Sequence, residues 1–161
     1  MKKLVLIRHA KSSWEHDVID HERPLNKRGT KDASIIAEAL KAIQLDVDCV
    51  LISDATRTKL TAQIILKTLK TPQNKVSFNH KLYDFSGGGV LEVIKNCNNT
   101  IETLMIFGHN HALTAIANTY GDSYIDNIPT CGVVIIKFNI SNWSQLAPGK
   151  IVKTIFPRDF K

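Results

Sequence analysis

The chain has 161 residues, 43% apolar and 22% charged, with a net charge of +6, which suits one domain able to bury a core without disulfides or metals. No apolar run approaches the roughly 20 residues that span a bilayer, and the opening residues do not read as a signal peptide, so a secretory leader is not expected. Cys49, Cys97 and Cys131 are odd in number and far apart, so they read as free thiols of a reducing compartment, and a cytoplasmic location is expected.

In chain order, Leu4–Ile7 predicts a first buried strand, and residues 10–25 are polar and loop-like. Asn26 is a good N-cap for a helix running to Ile43, with Ala33, Ile36, Ala37, Leu40 and Ile43 along one face. Cys49–Ile52 predicts a second strand, and Arg57–Leu69 a second helix closed off by Thr71-Pro72. Val76–Phe78 reads as a short strand, and Gly87-Gly88-Gly89 as a flexible turn before a weak helix over Val90–Asn96. Thr103–Phe107 predicts a strand and His111–Tyr120 a helix stopped by Gly121. Val133–Phe138 and Ile151–Ile155 predict two last strands joined around Pro148-Gly149. Strands alternating with helices predict crossovers and a mostly parallel central sheet flanked by helices on both faces, a three-layer α/β sandwich in one domain over 1–161. The last connection is too short for a helical crossover, so part of the sheet is expected to be antiparallel.

In such sheets ligands bind beyond the carboxyl ends of the strands. The first strand is followed by Arg8 and His9, the second by Ser53-Asp54-Ala55-Thr56-Arg57, and the Thr103–Phe107 strand by Gly108 and His109. Each residue alone has a structural explanation; their convergence from three distant segments is what points to chemistry. Guanidinium donates a planar fork of hydrogen bonds to phosphate and keeps its charge, whereas a neutral imidazole is a nucleophile near pH 7. Arg57 stands at a helix start, where a cation is locally unfavourable, so a negative partner is expected beside it. Gly108, lacking a Cβ, is expected to let backbone approach a bound oxyanion. His109 and His111 are two residues apart at a turn, with no carboxylate or cysteine cluster, so no metal is expected there. The pattern predicts that His9 attacks phosphorus while Arg8, Arg57 and protonated His109 hold the nonbridging oxygens, with no cofactor.

These residues resemble a known group. Arg8-His9-Ala10-Lys11-Ser12-Ser13-Trp14, Asp20-His21-Glu22-Arg23-Pro24-Leu25-Asn26-Lys27-Arg28-Gly29, Ser53-Asp54-Ala55-x-Arg57-Thr58, Leu82-Tyr83, Gly108-His109-Asn110 and Phe156-Pro157-Arg158-Asp159-Phe160 are similar to the SixA-type phosphohistidine phosphatases. Those are the short branch of the histidine phosphatase (phosphoglycerate mutase-like) superfamily. The resemblance implies a phosphoglycerate mutase-like fold, His9 as the phosphorylated nucleophile, and Arg8, Arg57 and His109 completing a metal-independent phosphate pocket. It also places Asp84 where mutase-like relatives carry an acidic proton donor. Ser12, Ser13 and Asn110 are candidate substrate contacts. Asp20 and Arg23, in the 10–25 loop, are either substrate contacts or a loop-internal ion pair. The chain departs from the family pattern at Asp54, His111 and the glycines at 87–89, which bear on substrate choice.

Three functions follow. The leading one is hydrolysis of phosphohistidine, on a protein or a small phosphoramidate. The alternatives are a phosphomonoesterase or mutase acting on small sugar or glycolytic phosphates, and a noncatalytic phosphoprotein-binding module. The basic residues are scattered, with no aromatic-interleaved stripe, so neither nucleic acid nor a membrane is an expected partner.

Overall fold

The structure, a computed structural model, describes residues 1–161. Six strands, β1 (Lys2–Arg8), β2 (Cys49–Ile52), β3 (Val76–Phe78), β4 (Thr103–Gly108), β5 (Val133–Phe138) and β6 (Lys150–Ile155), form one sheet in the order β3-β2-β4-β1-β5-β6. The β3-β2-β4-β1 part is parallel, and β5 and β6 add in antiparallel fashion. Four helices, α1 (Lys27–Ala42), α2 (Thr56–Leu69), α3 (Gly88–Lys95) and α4 (Ala112–Tyr120), cover it. The expected three-layer, mostly parallel α/β architecture is therefore the one present.

The central strands are apolar without alternation because both faces are buried. On β1, Val5 and Ile7 pack with Ala33, Ile36, Ala37 and Leu40 of α1 and Ala62 and Ile65 of α2. Leu4 and Leu6 face the opposite way, toward Val90, Val93 and Ile94 of α3 and Leu113, Ile116 and Ala117 of α4. Period-two side-chain direction thus splits one run of residues between two cores.

Helix starts follow side-chain chemistry. The Asn26 carboxamide accepts the Gly29 N–H at 2.8 Å and begins α1 as expected. The triple glycine differs from its expectation: Gly88 and Gly89 form the first turn of α3. Gly87 takes a left-handed φ of 114°, and a Cβ on Gly89 would lie 2.3 Å from the Lys81 carbonyl oxygen. Those positions are glycine because of backbone hand and close approach.

The polar loop is tied down by the same device. A Cβ on Gly29 would stand 2.1 Å from the carbonyl oxygen of Lys11, and the Asn26 N–H donates to that oxygen at 3.0 Å. Helix propensity favours alanine over glycine by about 1 kcal/mol, whereas overpacking against backbone costs about 1–3 kcal/mol. Gly29→Ala is expected to lower the urea midpoint despite the propensity gain; an unchanged or raised midpoint would contradict this close packing.

Candidate active site

Arg8, His9, Arg57 and His109 come together at the carboxyl end of the parallel strands. The His9 N–H donates to the Gly108 carbonyl at 3.1 Å, and the Cys131 N–H donates to the His9 carbonyl at 2.9 Å. The His9 ring is buried, with Nδ1 2.7 Å from the carbonyl oxygen of Ala10. A carbonyl only accepts, so Nδ1 carries the proton and Nε2 keeps its lone pair. The Ala10 peptide is anchored in turn: its N–H donates to Thr61 Oγ1 at 2.9 Å, and that hydroxyl donates to the Arg57 carbonyl at 2.7 Å. One threonine on α2 therefore couples the peptide that orients His9 to the turn that presents Arg57.

The rings of His9 and His109 lie 5.3 Å apart between centroids. His109 is fully buried, its Nε2 2.8 Å from Ser53 Oγ. Burial above all pushes both imidazoles down to about 3; at His9 the bond to Ala10 opposes this and the arginines add to it, and at His109 the neighbouring His9 and then Arg57 add to it. Both are thus neutral at pH 7 in the anion-free chain, because a buried imidazolium beside two guanidinium groups is unfavourable until an anion joins them.

Arg57 is almost wholly buried and finds the expected negative partner in Asp20. Its Nη1 donates to the Asp20 carbonyl at 2.6 Å and its Nη2 to Oδ2 at 2.9 Å. Asp20 also accepts from Arg23 Nη1 at 2.9 Å and from the Tyr83 hydroxyl at 2.6 Å. Burial pulls the Asp20 carboxyl upward, but the bonds from Tyr83, Arg57 and Arg23 outweigh it and hold the group far below the usual carboxylate range. Asp20 and Arg23 are the loop ion pair, and the same carboxylate reaches across to the pocket arginine. Arg23 also bonds Ser12 Oγ and the Ser13 carbonyl and lies over the Trp14 ring, 3.2 Å from its centroid. Ser12 Oγ keeps its proton for another acceptor; Ser13 Oγ instead accepts the Glu15 N–H at 3.1 Å.

Arg8 donates through Nη1 to the Ile128 carbonyl at 2.8 Å, and burial, then Arg57, lower its pKa. Three buried nitrogens of this group, Arg8 Nε, Arg57 Nε and His109 Nδ1, make no hydrogen bond within the protein. Buried polar atoms are nearly always paired, so each of the three is left to find a partner from outside the chain.

Two expectations change. The Asp84 carboxylate accepts the N–H groups of Ser86, Gly87 and Val90 at 3.0–3.1 Å and the Ser86 hydroxyl at 3.2 Å. Burial works against it, but those donors hold its pKa low, so it caps α3 as a carboxylate rather than offering a proton. Asn110, expected at the substrate, is fully engaged as a brace. Its Nδ2 donates to Asn127 Oδ1 and Ile128 O, and its Oδ1 accepts from the Thr114 N–H and hydroxyl. At Gly108 a Cβ would meet the Leu113 side chain at an ordinary 3.4 Å.

The structure adds groups that the sequence reading left out of the site. Ser53 holds His109, and Tyr83 and Phe85 lie 5.3 and 5.2 Å from its ring centroid. The motif segments containing Ser53 and Tyr83 were the available signal. His21, Asp54 and His80 gather at the rim: His21 Nε2 is 2.9 Å from Asp54 Oδ1, and His80 Nδ1 is 2.9 Å from Oδ2.

Residues 4–89 match the histidine phosphatase superfamily (branch 1), and the chain belongs to that superfamily. It is 28% identical over 153 residues to an uncharacterized protein of Mycobacterium tuberculosis, covering 89% of this chain and 93% of that protein. Its fold is shared with a putative phosphohistidine phosphatase SixA from Agrobacterium tumefaciens, at 21% identity and a TM-score of 0.78 over 96% of this chain and 97% of that one. It is shared also with a protein histidine phosphatase SixA complexed with tungstate, at 16% identity and a TM-score of 0.81 over 99% of both chains.

Two measurements check this account. His9 and His109 take up protons near 6.5 when unfolded but near 3 when folded, so the unfolded chain binds more protons between those values. Their contribution to stability is complete above pH 6.5 and is lost as pH falls toward 3. The urea midpoint is expected to drop from pH 7 to pH 5, less steeply in His109→Ala; identical slopes would contradict neutral burial. Asp84→Asn is expected to cost about 1 kcal/mol in urea unfolding as a weakened helix cap; an unchanged midpoint would contradict this capping role.

Proposed function

We propose that this chain, as a single histidine phosphatase domain over residues 1–161, hydrolyses phosphohistidine on a protein or small phosphoramidate through a phospho-His9 intermediate. The observation that carries this reading is the convergence of a buried imidazole bearing a free Nε2 lone pair with three buried nitrogens that lack protein partners. A nucleophile and donors in one place suit in-line displacement at phosphorus.

His9 Nε2 attacks phosphorus as the P–N bond to the departing imidazole breaks. Arg8 and Arg57 hold the nonbridging oxygens, and the dianion lets His109 gain a proton and donate as well. Water then attacks phospho-His9, the P–Nε2 bond breaks, and inorganic phosphate leaves with His9 neutral again. The guanidinium groups supply the charge that a metal would otherwise bring, so the chemical step needs none.

The carboxylates favour a phosphoramidate over an ester. An alkoxide leaving group needs a proton donor, yet Asp20 and Asp84 are both held as carboxylates by their hydrogen bonds. A phosphohistidine ring carries its own proton. The relative complexed with tungstate, a tetrahedral oxyanion, is consistent with a phosphate-sized pocket in this fold. The net charge of +6 suits an acidic phosphoprotein partner, and the three unpaired cysteines suit a reducing compartment such as the cytoplasm.

The test is turnover of a phosphohistidine protein and a panel of phosphomonoesters, with a chelator present throughout. His9→Ala is expected to lose about 10⁴-fold or more of the phosphohistidine turnover, and rapid quenching should leave acid-labile phosphate on His9 in the parent. Undiminished turnover in the variant, or faster cleavage of the esters, overturns the reading.

A further inference from the structure

We propose that His21, Asp54 and His80 form a binding site for a divalent transition metal of the Zn²⁺ class at the rim of the pocket. One ligand atom from each residue lies within 4.8 Å of the other two. The two imidazole nitrogens already face the same carboxylate, each at 2.9 Å from one of its oxygens. Two imidazoles and one carboxylate are a donor set taken by Zn²⁺ and its neighbours, whereas Mg²⁺ and Ca²⁺ require mainly oxygen.

The groups have the freedom to close on an ion. Zinc bonds of about 2.0–2.2 Å demand a tighter cluster, and side-chain exposures of 30% for His21 and Asp54 and 73% for His80 leave room to rotate. The His21 ring is steadied from one side by Tyr83, edge-on at 4.8 Å. Each nitrogen coordinates as the neutral ring, and any proton on it passes to solvent.

The placement gives the ion a purpose. Its ligands come from three separate segments: the short turn at Asp20–Glu22, the link from β2 to α2, and the turn at His80–Leu82. Each adjoins a pocket group, for His21 follows Asp20, Asp54 follows Ser53, and His80 begins the turn that leads to Tyr83. An ion there fastens the 10–25 loop to the sheet end and fixes where Asp20 meets Arg57. Three protein ligands leave a further position for water or a donor atom on a bound substrate. The ion takes no part in breaking the bond to phosphorus, and the site stands whether or not phosphohistidine is the substrate.

Calorimetric titration of the metal-free chain with Zn²⁺, with Mg²⁺ in parallel, tests the site without reference to activity. One Zn²⁺ per chain is expected, with no displacement by Mg²⁺. Zn²⁺ at about a hundredfold excess over its Kd should raise the Tm by about 5–10 °C. His80→Ala and Asp54→Asn should each weaken binding by about 100-fold, and Co²⁺ should give a visible d–d spectrum that both variants lose. Absence of saturable binding, binding retained by both variants, or binding abolished instead by Cys97→Ser would each overturn the proposal.

Discussion

The crowding of positive charge at one end of the sheet governs this site. Half-buried Arg8 at the end of β1 and buried Arg57 in the first turn of α2 meet beside two imidazoles, with β4 lying between their strands β1 and β2, and burial and Arg57 together lower the Arg8 pKa. Like charges in a poorly solvated place are tolerated only with a counter-charge or with partners for every donor. Asp20 supplies part of the answer, lying on Arg57 and shared with Arg23 and Tyr83. Neutral His9 and His109 supply another, by declining protons that would add to the excess. What remains unmet is a partner for Arg8 Nε, Arg57 Nε and His109 Nδ1, and an anion is the kind of partner that crowded positive charge favours.

Main-chain groups hold this arrangement as firmly as side chains do. The Ala10 carbonyl fixes the His9 tautomer and the Ile128 carbonyl holds Arg8. Asn110 and Thr114 in turn hold the Ile128 peptide, Thr114 Oγ1 accepting its N–H at 3.1 Å. The pocket is thus set by a relay from α4 through an irregular segment to the end of β1. A change at Thr114 or Asn127 reaches Arg8 without touching it.

Much of this was legible in the sequence, for reasons that differ by element. Continuous apolar runs such as Leu4–Ile7 announce strands buried on both faces, and Asn26 announces a helix start, because both signals are local. The four pocket residues were legible because strand ends share one edge of a parallel sheet. Gly88 and Gly89 misled because composition indicates a turn, whereas they open a helix whose Val90 N–H is capped by Asp84, and the distant Lys81 carbonyl leaves no room for a Cβ at Gly89. Asp84 misled in the same way, since its motif position does not show how many N–H groups surround it. The Ile128 carbonyl has no residue-type signature at all. The His21–Asp54–His80 cluster lay hidden because its members sit in three segments with no mutual spacing.

The stacking of Arg23 on Trp14 has an optical consequence. Trp14 is 76% exposed on the pocket loop, whereas Trp143, the other tryptophan, is fully buried among the residues packed with α3 and α4. The two indoles therefore emit from opposite surroundings: the Lys2 ammonium lies 5.8 Å from the Trp143 ring centroid, whereas Trp14 stands against the Arg23 guanidinium, which also binds Asp20. Any event that shifts Arg23 alters the field on Trp14 while Trp143 supplies a constant background. The loop thus carries its own fluorophore, and its position can be followed in the unlabelled protein.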